Sequence, residues 1–459
     1  MTARRRETGL LAALLLLAAL QLVAFHWGVV MPDTVEQYRQ ALTAQYDDWH
    51  PPVTAALWRL IMRVHQGTGG ILLFDIALYW SGIGLIARRL LRDGRTAAAI
   101  LIVAVAMLPI PFGQMGAILK DPLLAALCVL VTGIIMNDGQ HHPIGRAIAL
   151  VALVIATATR FNALFATLPL LLALAPVASL ATWPRRIIVT TAGAATLVAS
   201  SWLINVAILQ PHRSEPIFSL VNFDLGGIAA FGGSNPYPSM NDVESARLTR
   251  LCYDPGHYNP SYLPACNEVE NGLAEYAHHH HVAATRLWIT AISRAPISYL
   301  RHRIAHLNLN WRFLVPNVPL DAVYLMSQPN DLGIRFVPNP LTRAIVAAAQ
   351  WMAWSPLGRP ATWLAVALAL LAISDVLPSR RAIRALACSA LAYGFGYALV
   401  SVATDMRYNL WTMMAAMIAA VLALGDILAG GVSLPKARLI AGAAFVTLVV
   451  AGEVLCLAL

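Results

Sequence analysis

Charge is what this sequence has least of. Of 459 residues, 12% are Asp, Glu, Lys or Arg, while 58% are hydrophobic; soluble domains carry about 25% charged residues. A single water-soluble globule is therefore excluded, and so is a disordered chain, which needs low hydrophobicity and high charge. Cysteine is sparse, with five residues and no C-x-x-C pair, too few for a disulfide scaffold. Lysine is scarcer still, at two residues against 30 arginines. There is no G-x-x-x-x-G-K-[ST] loop, no G-x-S-x-G elbow and no H-E-x-x-H, so ATP-driven transport and serine or zinc hydrolysis have no support. No internal repeat is evident, which weighs against a transporter, since many are built from repeats.

What the sequence has in abundance is apolar runs, and its mean hydropathy is +0.64. The composition predicts an all-α polytopic membrane protein. Its net charge of +9 does not point to nucleic acid, because no basic tract is interleaved with aromatics, and cationic loops are expected of inner-membrane proteins. Arg4, Arg5 and Arg6 precede an apolar run from about Gly9 to Val30 that is longer than a signal-peptide core, and it reads as an uncleaved first span. Further spans are expected at about 69–91, 96–113, 121–137, 144–159, 161–178, 187–209, 357–377, 383–403, 408–428 and 438–457, about eleven transmembrane helices in all. The stretch 144–178 admits one broken helix or two. With the N-terminus inside, Arg88, Arg89, Arg92, Arg95, Arg146, Arg185, Arg186, Arg380, Arg381, Arg384, Lys436 and Arg438 all fall on one face, as the positive-inside rule demands.

Three regions follow. Residues 1–210 form an N-terminal transmembrane module whose first outer loop, 31–52, is rich in acids and aromatics. Residues 211–340 form a mixed, mainly helical periplasmic domain, and residues 341–459 form the C-terminal transmembrane helices. In the soluble domain, Gly226-Gly227, Gly232-Gly233 and Asn235-Pro236 read as turns, and helices are expected from about Glu268 to Phe313. A disulfide between Cys252 and Cys266 suits an oxidising compartment. Cys128, Cys388 and Cys456 lie in apolar spans and read as packing residues.

The chemistry-bearing residues collect at the outer boundary. Asp33 follows the first span, with Glu36 one turn on, and Asp48 and His50 close the same loop. Lys120 and Asp121 open a span, Arg160 and Asn162 interrupt an apolar run, and Asp405, Arg407 and Tyr408 lie between two late spans. Polar groups at membrane depth are kept where they pair or serve a site. Lys120 reads either as a snorkelling interfacial cation or as a ligand for a phosphate. Arg407 reads either as a partner of Asp405 or as part of a cationic pocket with Lys120 and Arg160. The pocket would hold an anionic, lipid-linked group while a carboxylate works opposite. Arg301 and Arg303, on an amphipathic stretch from Trp288 to Arg303, suit headgroups or an anionic acceptor equally. The run His278–His281 reads as a solvated face, because no acid or cysteine cluster accompanies it.

Asp33 followed by Asp48-Trp49-His50-Pro51-Pro52 resembles the protein O-mannosyltransferases, which carry an acidic motif after their first helix and a D-x-H-P-P motif later in the same loop. The bacterial aminoarabinose transferases that modify lipid A are similar. Both belong to the GT-C glycosyltransferase superfamily. Lys120-Asp121 heading a span, Arg160-Phe161-Asn162, the large soluble loop and a late Arg407-Tyr408 agree with it. The resemblance implies a GT-C-like fold and an enzyme that moves a sugar from a polyprenyl-phosphate donor to a lipid, glycan or protein acceptor in the bacterial cell envelope. The active site would face the periplasm from the inner membrane, among membrane lipids. It implies Asp33 as the base, with Lys120, Arg160, Arg407 and Tyr408 at the donor phosphate, and His50, Asp48, Asp121 and Asn162 shaping the pocket. The family's acidic motif is often a D-E pair, whereas Thr34 follows Asp33 here. Asp48 is thus an alternative base and Glu36 a substitute for the missing acid. No cofactor is expected; a divalent cation between Asp33 and Asp48 is the one exception considered. Rival readings are a polyprenyl-phosphate lipid flippase or other transporter, a ligase joining a finished glycan to lipid A, and a non-catalytic assembly partner.

Overall fold

The computed structural model describes residues 3–137, 142–232, 234–256, 264–316 and 321–458. The chain is 74% helical and has no strand among the described residues. Six helices are long and apolar enough to cross a membrane: Arg5–Ala24, Gly69–Arg92, Trp183–Ile208, Arg380–Val400, Met406–Leu428 and Lys436–Ala458.

Proline marks many of the helix starts. It has no N–H to lose and its φ is already helical, so it suits the first turn. Helix α1 (Ala3–Ala24) is followed by two short helices, α2 (Pro32–Thr43) within the expected outer loop 31–52 and α3 (Val53–Ile61) directly after it. Helix α4 (Gly69–Arg92) leads by a tight turn into α5 (Thr96–Ala106), which Pro109 and Pro111 interrupt before the one-and-a-half turns of α6 (Pro109–Gln114). Helix α7 (Lys120–Met136) packs directly on α4. A Cβ on Gly82 would lie 2.6 Å from the Leu130 nitrogen, so the two backbones touch only because Gly82 has no side chain. Helices α8 (Pro143–Ala158) and α9 (Leu164–Leu174) are separate and form a hairpin, with the Thr157 and Thr167 hydroxyls 2.7 Å apart. Helix α10 (Trp183–Trp202) runs on through a π-helical turn, Leu203–Ile208.

The next five helices are α11 (Ile217–Gly232), α12 (Asp242–Cys252), α13 (Pro264–His279), α14 (Ala284–Arg294) and α15 (Pro296–Trp311). Helices α11 to α14 and Tyr299 of α15 share a hydrophobic core of their own, which includes Val221, Leu225, Leu273 and Ala291. Cys252 and Cys266 form a disulfide that joins α12 to α13. The expectation of a turn at Gly226-Gly227 is corrected, because both lie inside α11. A Cβ on Gly227 would sit 2.1 Å from the His302 ring, so this glycine permits the close approach of α15. Asn235-Pro236 lies in a loop, where Asn235 Oδ1 accepts the Tyr237 N–H at 2.9 Å. Gly233 lies outside the described residues.

The chain closes with α16 (Pro340–Ala353), α17 (Pro360–Ile373), α18 (Arg380–Val400), α19 (Leu410–Leu428) and α20 (Lys436–Ala458). The arginines expected on one face meet at one end of the bundle. Arg95 pairs with Asp426, whose carboxylate also accepts the Ser379 N–H (2.7 Å) and hydroxyl (2.8 Å). Arg88 and Arg92 pair with Glu7 at 3.2 and 2.8 Å. Arg384 and Arg438 share Asp375. At the other end, Val29 donates to the Gly116 carbonyl and Val30 to that of Met326 (3.0 and 3.2 Å), and Asn339 Nδ2 donates to the Val23 carbonyl at 2.8 Å. The start of α16 is thereby tied to the end of α1.

Asp426 is fully buried and is shared by three helices, so Asp426→Ala strands the Arg95 charge. Breaking one half of such a pair costs about 3–5 kcal/mol. We expect a clearly lowered unfolding midpoint in detergent micelles, and an unchanged midpoint would show that the pair does not hold this end together.

Candidate active site at the outer loops

The site is assembled from four stretches of chain. Asp33 lies in the first turn of α2, placed there by Pro32 at the helix start. Thr34, fully buried, accepts the Met31 N–H at 3.1 Å and donates to the Ile118 carbonyl at 2.9 Å. This hydroxyl pins α2 to the segment just before Lys120. A carboxylate at position 34 would face a carbonyl to which it could not donate.

Around Asp33 the contacts form one chain. Arg407 donates to its Oδ2 at 3.1 Å and, through Nε, to Asp405 at 3.1 Å. The Tyr324 hydroxyl donates to the other Asp405 oxygen at 2.7 Å. On the opposite side, His50 Nε2 lies 3.6 Å from Asp33 Oδ1, and His50 Nδ1 lies 2.6 Å from Lys120 Nζ. With Lys120 Nζ donating, Nδ1 accepts and the Nε2–H of a neutral ring faces Asp33. Burial alone would raise the Asp33 carboxyl, but the Arg407 charge, the His50 ring N–H facing it and the Lys120 charge outweigh it and hold the group well below its ordinary 3.8. Burial, then the Lys120 charge, pull His50 below its ordinary 6.5, against the opposing effect of Asp33. Asp33 is thus an ionised carboxylate and His50 a neutral imidazole at neutral pH.

Beside this chain, Arg160 pairs with Asp121, donates to Asn162 Oδ1 at 3.3 Å and lies 4.5 Å from the centre of the Tyr408 ring. Arg407 stands over the same ring at 5.3 Å, a cation–π arrangement on both counts. Tyr397 stacks on Tyr408, centroids 5.8 Å apart, and its hydroxyl donates to the Tyr408 carbonyl at 2.7 Å. Lys120, Arg160, Asn162 and Tyr408 line a cavity of about 90 Å³. The Asn162 side-chain N–H₂ is buried in its wall with no hydrogen-bond partner among the described residues. Such an orphan donor is costly unless a ligand or water meets it. Pro51, Arg160 and Phe161 also border a larger cleft of about 510 Å³, whose other walls include Leu164, Val198, Trp202 and Val206.

The structure therefore brings together Asp33, His50, Lys120, Asp121, Arg160, Asn162, Arg407 and Tyr408. It places the remaining candidates elsewhere. Asp48 faces the larger cleft and accepts the Ser214 N–H at 2.5 Å. Glu36 sits with Gln40 and Asp47, and Gln40 Nε2 donates to both acids, at 3.3 and 2.8 Å. Burial, and after it the neighbouring Glu36 and Asp48, raise the Asp47 carboxyl despite the Trp49 N–H it accepts. Arg301 is exposed, and Arg303 is buried, donating to Asp224 and to the Ser401 carbonyl, both at 2.7 Å. Asp33 is flanked by Arg407, His50 and Lys120, whereas Asp48 is engaged with the Ser214 N–H. Among the described residues, no group of three His, Cys, Asp or Glu side chains is arranged to hold a metal ion. Sequence reasoning missed Tyr324 and the buried Asp224, which also binds His302 (2.9 Å) and the Trp288 indole (2.6 Å). An acid alone in the apolar run Ile217–Ile228 was the available signal for Asp224; Tyr324 carried none. No family model, curated protein or solved structure matches this chain.

Both groups that flank the site take up protons on unfolding, so acid should destabilise the fold. For His50 the loss begins as pH falls below 6.5; for Asp33 the contribution is present above 3.8 and lost as pH falls toward its depressed native value. Thermal unfolding followed from pH 7 to 3 should show a midpoint falling in both windows. His50→Gln should reduce the fall in the upper window, to which the buried His302 and His306 also contribute, and leave the lower one. A His50→Gln protein that tracks wild type between pH 7 and 5 would contradict the buried, neutral imidazole.

Proposed function

We propose that this chain is an integral-membrane glycosyltransferase of the GT-C kind, moving a sugar from a polyprenyl-phosphate donor to an envelope acceptor. The observation that carries the reading is the contact chain Lys120–His50–Asp33–Arg407, set beside a cavity bordered by Arg160 and the orphan Asn162 amide. An ionised carboxylate next to several cations is what a displacement at a phosphate-bearing anomeric carbon requires. In this reading α1, α4, α5 with α6, α7, α8, α9, α10 and α17 to α20 make eleven crossings, α11 to α15 form the periplasmic domain, and the arginine-rich end faces the cytoplasm of a bacterium. The apolar cleft beside Trp202 and Val206 suits a prenyl chain entering from the bilayer, and its Arg160 end suits the donor phosphate.

The step is a single inverting displacement. The acceptor hydroxyl oxygen attacks the anomeric carbon, its proton passes to Asp33, and the bond from that carbon to the phosphate oxygen breaks. The electron pair leaves with polyprenyl phosphate, which gains negative charge. Lys120, Arg160 and Arg407 stabilise that charge, so the leaving group needs no proton and no metal takes part in the step as written.

Purified protein incubated with short-chain polyprenyl-phosphate sugars and an envelope lipid extract tests the reading. Wild type should transfer or release sugar. Asp33→Asn keeps a side-chain oxygen for Arg407, whose second partner Asp405 remains, so it should fold with a lowered unfolding midpoint and lose about 10²–10⁴-fold in turnover, the usual contribution of a general base. Asp48→Asn should keep most of the activity, because its carboxylate serves the Ser214 turn. Lys120→Ala should lose about 10²-fold or more in kcat, as loss of one charge-stabilising donor does. An active Asp33→Asn beside a dead Asp48→Asn would transfer the base to Asp48. Donors that bind to wild type but stay intact would overturn the enzyme in favour of a flippase.

A further inference from the structure

Helices α14 and α15 carry two apolar faces rather than one. The inner face, with Leu287, Ala291 and Tyr299, belongs to the soluble core. The outer face leaves Ile289, Ile297, Leu300 and Ile304 between 57% and 67% exposed, and Arg286, Arg294 and Arg301 are exposed alongside them. On α15 the apolar residues follow the i, i+3, i+7 spacing of a single stripe. A helix packed on a core normally turns a polar face to water, and a continuous row of large aliphatic residues there marks a contact surface.

The surroundings identify what it contacts. From residue 276 to residue 320 there is not one Asp or Glu, so nothing in the segment neutralises its arginines. Helix α15 also runs antiparallel beside the end of α18, one of the helices able to cross a membrane. Arg303 reaches the Ser401 carbonyl and the Trp311 indole reaches that of Gly394, so its last two turns lie level with roughly 12 Å of α18. Trp311 packs edge-on against Phe395, itself 52% exposed. Ile304 therefore sits at the level where α18 leaves the apolar layer. Arg301 and Leu300 lie about 5–6 Å above it along the helix, within a headgroup layer about 5–8 Å thick on each side, and Ile297 lies about 10 Å above, just past its outer edge.

We propose that the outer face of α14 and α15 docks on the bilayer, its aliphatic row entering the interface while Arg286, Arg294 and Arg301 bind the phosphates of anionic phospholipids. The bilayer anchors the soluble helices to the membrane from outside, and the proposal holds whether or not the site transfers sugar.

The test compares full-length wild type with Arg286→Gln/Arg294→Gln/Arg301→Gln in nanodiscs of phosphatidylcholine with and without phosphatidylglycerol. All three positions are exposed, so the variant should fold. Phosphatidylglycerol should raise the unfolding midpoint of wild type, and the variant should lose most of that shift. An equal shift in both proteins, or the same shift in wild type from inorganic phosphate in neutral discs, would overturn the proposal. A second measurement reads depth directly. A dye on Leu300→Cys should be quenched by headgroup-proximal doxyl lipids, one on Asp242→Cys of α12 should not, and the unsubstituted chain serves as the labelling background. No lipid quenching at position 300 would also overturn it, leaving a protein partner as the occupant.

Discussion

The pairing of Arg407 with Asp33 and Asp405 is the constraint around which the end of the bundle opposite the arginine clusters is organised. A guanidinium that is 7% exposed would be untenable alone, because removing an ion from water costs several kcal/mol even after the protein relaxes. Two carboxylates make it tenable, and they come from opposite ends of the chain. Asp33 follows the first apolar helix, whereas Asp405 precedes the next-to-last. Satisfying Arg407 therefore fixes α2 against the 401–409 loop. Tyr324, donating to Asp405, draws in the segment that leads back from the soluble helices. The Val29, Val30 and Asn339 contacts tie the end of the first helix and the residues before α2 to Gly116 and to the segment 326–339. Ion pairing at this point does what a continuous hydrophobic core does elsewhere in the bundle.

The same pair bears on reactivity. A carboxylate held well below its ordinary pKa is a weak base, and a general base works best when matched to its task. On the proposed reading the mismatch belongs to the resting site. A donor phosphate entering beside Arg160 and Lys120 competes for the cations that shield Asp33. Each contact transferred from carboxylate to phosphate raises the proton affinity of Asp33 just as the acceptor hydroxyl arrives. As the leaving phosphate gains charge, it draws the cations further and strengthens the base in step with the bond that breaks. His50 suits this exchange because it is neutral. It passes the influence of Lys120 toward Asp33 without adding a charge that the donor would have to displace.

Much of this was legible in the sequence, and the reasons for the rest are physical. Low charge and long apolar runs gave the all-helical class, and the one-sided arginines meet at one end of the bundle as expected. Loop one was legible because its residues are costly where they stand. An acid directly after an apolar helix, and His50 before two prolines, need a purpose. Eight of the candidate side chains do come together. What failed was reading function from residue type without neighbours. Asp48 and Glu36 look equivalent to Asp33 in a one-dimensional list, yet one serves a backbone N–H and the other an acid pair. Gly226-Gly227 read as a turn because the Cβ-sized gap facing His302 lies 75 residues away in sequence. Arg303 read as a surface cation, whereas Asp224, equally distant, gives it a buried partner. Long-range complementarity of this kind leaves no local pattern.

Arg303 also explains why α11 to α15 cannot be a passive appendage. Its guanidinium joins Asp224 in α11 to the Ser401 carbonyl, and the residues next to Ser401 line the cavity that holds Lys120 and Arg160. Two further contacts repeat the connection. The Thr404 hydroxyl donates to the Gly256 carbonyl at 2.8 Å, and Asn409 donates to Asn310 of α15 at 3.0 Å. Gly256 lies four residues beyond Cys252, so the disulfide with Cys266 restrains the chain that meets Thr404. The loop carrying Arg407 and Tyr408 is thus gripped from above at positions 401, 404 and 409. A nine-residue loop between two apolar helices would otherwise sample many backbone states, each ordered residue costing about 1–2 kcal/mol of entropy. Helix packing within the bundle fixes only the ends of that loop, so the geometry around Asp33 depends on α11 to α15 being folded and seated.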